Sequence, residues 1–97
     1  MATSKTSHFD MLIDKLAVVP ANSNITVSAN SALAATLIFV YRGSGNLSGI
    51  YVSDGWGSIC PIVPCTGISI SKDDSSPDIV ITNNNSLALE VMTISRK

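Results

Sequence analysis

Few side chains in this sequence have the type and setting that chemistry requires. Trp56 stands between Gly55 and Gly57, with Asp54 and Ser58 on either side. An aromatic ring on a glycine-flanked loop can stack on the apolar face of a sugar, and a nearby carboxylate and hydroxyl suit its hydroxyl groups. Asp54, Trp56 and Ser58 are therefore the candidate ligand-binding residues. The competing reading is structural: Trp56 plugs the end of the domain or meets a subunit, with its N–H satisfied by backbone.

Other polar groups fit known chemistry less well. His8 is the only histidine, with Asp10 two residues on. A Ser–His–Asp hydrolase also needs a positioned nucleophile and an oxyanion site, and nothing marks one of the 15 serines as activated. No spacing joins His8 to Cys60 or Cys65 as a thiol nucleophile. Asp73, Asp74 and Asp78 cluster around the stretch KDDSSPD, which lacks the alternating ligands and central glycine of a calcium loop. A solvated acidic loop is the plain reading. Gly43-Ser44-Gly45 is followed by a strand-like run, not by a helix and a lysine, so it is no phosphate loop. No catalytic residue, metal ligand or cofactor is assigned.

Cys60 and Cys65 bracket the stretch CPIVPC. Free thiols, a bridge across a tight turn and half of a metal site all remain open. Synthesis in a cytoplasm favours free thiols, and two ligands do not close a zinc site.

The elements that would position these residues read as strands. Ninety-seven residues make a single domain with a modest core. Apolar residues are 45% of the chain and charged residues 13%, about half the usual charged share of roughly 25%. With 15 Ser and 7 Thr supplying polarity, the composition is that of a compact β protein, not of a disordered one. So few charges give little defence against self-association. A net charge of −1 with six scattered Lys and Arg offers no basic face to nucleic acid. No apolar window of about 18 residues spans a membrane. The start MATSKTSHFD lacks the apolar core of a signal peptide, which implies synthesis in a cytoplasm.

Residues 1–7 read as a polar tail, and 8–97 as the domain. Residues 8–17 are ambiguous. Phe9, Leu12, Ile13 and Leu16 form a helical stripe, with Ser7 and Asp10 as a weak capping box, yet Leu16–Val19 also suits a strand. Ile25–Ala29 alternates as a strand. Ala34–Tyr41 is an almost continuous apolar run with both faces covered, and a turn follows at Arg42–Asn46. Leu47–Ser53 is a strand. Pro61 and Pro64 restrict Ser58–Cys65 to a short or edge strand, and Gly67–Ser71 alternates again. The last stretch, Pro77–Lys97, reads as a hairpin of two alternating strands joined at Asn83-Asn84-Asn85. Seven or eight short strands at this spacing mark an all-β antiparallel sandwich or jelly roll, with or without a short N-terminal helix.

The segments ANSNITVSANSALAATLIFVYRG, SGIYVSDGWGSI, GISIS and PDIVITNNNSLALEVMTIS together resemble the small all-β domains at the C-terminal end of bacteriophage tail-fibre and other minor structural proteins. The likeness runs over roughly residues 16–95 and lies in the order of strands, the Gly-aromatic-Gly loop and the ITNNNS-like close. The chain departs from these domains in standing without a fibre shaft and in ending on Ser95-Arg96-Lys97. The resemblance implies a virion protein that forms homo-oligomers, trimers above all, beside other virion proteins and in contact with a host-surface glycan. The alternative is a small carbohydrate-binding module or lectin using Trp56.

Two-sided apolar strands supply the expected packing. Leu37, Phe39, Ile79, Ile81, Leu87 and Leu89 are the expected core. Ile38, Val40, Val80 and Met92, of the opposite parity, are the expected subunit interface. The loops Asp54–Ser58, Arg42–Asn46 and Lys72–Ser76 are the candidate host-contact surface.

Overall fold

The computed structural model describes residues 12–29, 32, 34–43, 45–73 and 75–96. These form eight strands: β1 (Leu12–Val19), β2 (Ser23–Ser28), β3 (Thr36–Tyr41), β4 (Leu47–Ser53), β5 (Ile59–Val63), β6 (Ile68–Lys72), β7 (Asp78–Asn83) and β8 (Leu89–Arg96). A five-stranded sheet in the order β1-β8-β3-β4-β5 packs on a three-stranded sheet in the order β2-β7-β6. Every pairing is antiparallel. The fold is an all-β sandwich.

The chain crosses between sheets at β1–β2, β2–β3, β5–β6 and β7–β8, and stays within one sheet through the β3–β4–β5 meander and the β6–β7 hairpin. β1 pairs with β8 while β2 pairs with β7, so the first and last crossings are nested. One buried side chain holds that corner. The Asn83 amide donates from Nδ2 to the carbonyls of Val19, Pro20 and Leu87 at 3.2, 3.3 and 2.9 Å, and its Oδ1 accepts the Asn85 N–H at 2.9 Å. Four backbone groups freed by the crossing thus find partners on one side chain, which buried backbone requires.

Between the sheets lie Val19, Ile38, Val40, Ile79, Ile81, Leu89 and Val91, all buried. Each contributes about 1.5–3 kcal/mol by leaving water. Tyr51 closes the β5 side: its Oη accepts the Cys65 N–H at 2.6 Å and donates to the Cys65 carbonyl at 3.4 Å. Gly49 makes room for this, since a Cβ there would sit 2.8 Å from the Cys65 Cβ. Farther along the strands the inner face turns polar, through Thr93, Ser95, Thr36 and Ser53. Among the described residues, Thr36 Oγ1 is buried without a hydrogen-bond partner.

Several sequence expectations change. Leu12–Val19 is a strand, because pairing with the whole of β8 outweighs the helical stripe. Residues 8–11 of the proposed helix, and the 1–7 tail, lie outside the described residues. The closing strands exist, but they do not form a hairpin: β7 belongs to the three-stranded sheet and β8 to the five-stranded one. Leu87 falls in the corner before β8 and is 62% exposed, not in the core. The parity of β3 is inverted. Ile38 and Val40 are fully buried, Leu37 is 40% exposed and Phe39 is half-buried. Alternation groups residues by face, but a strand apolar on both faces does not say which face is inside. Cys60 and Cys65 are free thiols, the first exposed and the second buried.

Candidate functional site

Asp54 shapes the loop that carries Trp56. Its Oδ1 accepts the backbone N–H of Trp56 at 2.8 Å and that of Ser58 at 2.9 Å, and its own N–H donates to the Ser58 carbonyl at 3.0 Å. Gly57 completes the turn at φ 91°, a conformation that side chains rarely adopt. The Trp56 and Ser58 N–H donors, in that order, hold the Asp54 carboxyl below its ordinary value. The loop is fixed by its own hydrogen bonds, and it presents the Trp56 ring outward at 72% exposure. Trp56 therefore does not plug the sandwich. Asp54, Trp56 and Ser58 do lie together, but Asp54 is engaged in holding the loop. What remains for a ligand is a flat, pre-positioned aromatic face.

The other sequence candidates separate. His8 and Asp74 lie outside the described residues. Asp78 accepts the Ser28 hydroxyl at 2.6 Å, and Asp73 is exposed. A polar depression of about 240 Å³ lies between them, lined in part by Thr26, Ser71 and Ser76. Lys72, read in the sequence as loop, ends β6 pointing inward. Its Nζ donates to the Ala32 carbonyl at 2.6 Å and to the Asp73 carbonyl at 3.2 Å.

The four expected interface residues do not share a surface. Ile38 and Val40 belong to the core. Val80 and Met92 are half-buried on the outsides of opposite sheets. Met92 is nonetheless part of a larger feature, because apolar rows cross the outside of the five-stranded sheet. One cross-strand row runs Leu16–Met92–Phe39–Ile50–Val63 over all five strands. A second runs Ile94–Leu37–Val52–Cys60. Glu90, between Val18 and Tyr41, Asp14, opposite Ile94, and Arg96, opposite Leu12, are charged residues at the margins of these rows. This surface was hidden in the sequence because its members come from five strands whose order only the folded sheet reveals. The one available signal was the two-sided apolar character of β3.

Among the described residues no helix is long and apolar enough to cross a membrane. No family model, curated protein or solved structure matches the chain.

Proposed function

We propose that this chain is a structural, non-enzymatic subunit of a virion-type assembly, of the bacteriophage tail-fibre or head-appendage kind, which acts by associating with copies of itself and with neighbouring virion proteins. The observation that carries the associative part is the apolar outer face of the five-stranded sheet. A monomeric antiparallel sandwich leaves its outer faces to water and makes them polar, and contiguous apolar surface of several hundred Å² marks an interaction site. The place in a virion rests on the sequence resemblance. Light scattering on the purified chain over a range of concentrations tests association: an oligomer of any size supports it, and a monomer at every concentration overturns it.

Trp56 favours a second reading, a carbohydrate-binding module, or a host-glycan contact made by the assembled particle. Its ring is exposed on a loop held by Asp54, and an already ordered aromatic loses little freedom on binding. A glycan array with the wild type and Trp56→Ala tests it. Binding that disappears in the variant supports the reading, and the absence of wild-type binding to any glycan removes it.

A further inference from the structure

Resting on the associative reading above, we infer that the outer face of the five-stranded sheet is covered by the same face of a second copy, in a two-fold stack. Three observations select this occupant. From β8 to β5 the two rows carry no charged residue, and Asp14, which pairs with Ile94 at the β1 end of the second row, lies at the sheet edge, so the centre of the face offers no charge complement to an acidic or basic partner, whereas an identical face matches it. The surface is a regular pleated sheet, and the partner that fits such a surface at an even separation of about 10 Å is another sheet. Size is the third. Five strands at about 4.8 Å spacing, overlapping for about six residues at about 3.3 Å each, make a face of about 24 by 20 Å. Two such faces remove about 1,000 Å² from water, the lower limit for a specific interface. The dimer is therefore reversible and depends on concentration.

The edges distinguish two-fold from three-fold packing. Three sheets around a threefold axis meet at acute angles along their edges, where the space between them closes. Here the edge strands β1 and β5 carry Leu16, 70% exposed, and Val63 on this face. An evenly spaced stack accommodates large side chains at the edges as readily as at the centre. The structure thus favours a dimer over the trimer that the resemblance implies.

Sedimentation equilibrium on the wild-type chain and on Leu16→Lys/Leu37→Lys tests the inference. Both leucines point outward, so the variant keeps the core. The expected result is a wild-type dimer whose dissociation constant rises by about tenfold or more in the variant, while Thr26→Lys on the opposite sheet leaves it unchanged. Cys60 provides a readout without mutation: it lies on this face beside Val52, while Cys65 is buried. Its alkylation should slow as protein concentration rises through the dimerisation range. A trimer, or a dimer indifferent to the double substitution, overturns the two-fold stack and leaves the associative reading standing. A monomer at all concentrations overturns both. Should circular dichroism show the variant unfolded, Cys60 labelling of the wild type decides: unchanged labelling in a dimer overturns the stack.

Discussion

On the outside of the three-stranded sheet, the cross-strand rows read Asn24–Thr82–Ser69 and Thr26–Val80–Ser71, with Ser28 beside Asp78. On the outside of the five-stranded sheet, the corresponding rows read Leu16–Met92–Phe39–Ile50–Val63 and Ile94–Leu37–Val52–Cys60, with Asp14 beside Ile94 at the β1 edge. Both sheets bury the same kind of inner face, of Ile, Val and Leu. The fold therefore does not require the outer apolar rows, since the smaller sheet stands with its outer face in water. On the association proposed above, the outer difference serves function. It also explains a chain that is 45% apolar yet has a modest core: much of the apolar complement of β3, β4 and β8 lies on the far side of the sheet.

The largest effect should come from the side of β3 that the structure places inside. Ile38→Ala should cost about 2–5 kcal/mol, as buried large-to-small changes do. Leu37→Ala, next door on the outer face, should cost under about 1 kcal/mol in the monomer. Urea unfolding of the two variants reads this directly, and equal costs would erase the distinction between the faces. Next in size is the corner that ties the sheets together. Asn83→Ala leaves buried carbonyls and the Asn85 N–H without their partner, and should cost about 2–3 kcal/mol. A loss of less than about 0.5 kcal/mol in thermal unfolding would mean that the corner is held by other contacts.

A smaller change of opposite sign should come from the polar end of the inner face. Thr36→Val replaces a buried hydroxyl that has no partner among the described residues with a methyl group, and should raise stability by about 1 kcal/mol. A loss instead would show that this end of the interior is satisfied by a group bound there. The smallest effect concerns the Trp56 loop. Asp54 has a folded-state pKa lowered from 3.8 by the two backbone N–H donors. Its contribution to loop order is fully present above the unfolded value and is lost as pH falls through the lower folded value. Trp56 is the only tryptophan, so its emission should titrate with a midpoint below 3.8, and Asp54→Asn should abolish the transition. An unshifted midpoint would detach Asp54 from the loop.

Local rules were legible where a stretch carries its own answer. The alternation at Ile79 and Ile81, and at Leu89 and Val91, correctly groups the side chains that go inside. The prolines around Pro61 place β5 at a sheet edge, because a residue without an N–H is costly in a central ladder. Gly55-Trp56-Gly57 marks an aromatic turn in the sequence itself, but that its ring points outward and does not plug the sandwich is decided by the fold. The role of Asp54 in that loop was not seen, although an aspartate two residues before a backbone donor is a recognised turn signal.

What the chain determined by itself is its class: all-β, seven or eight short strands with their approximate positions, and a glycine-flanked Trp turn. These follow from side-chain period and turn chemistry, which act within a few residues. Three things were decided only by the tertiary structure. The Asn-rich turn joins two sheets and not two neighbouring strands. Ile38 and Val40 face inward while Leu37 and Phe39 face out. Five separate strands line up one apolar surface. Each depends on pairings between residues far apart in sequence, such as Leu16 with Met92 and Phe39 with Met92. A period of two gives every strand two equivalent faces, and only packing against a second sheet makes one of them the inside.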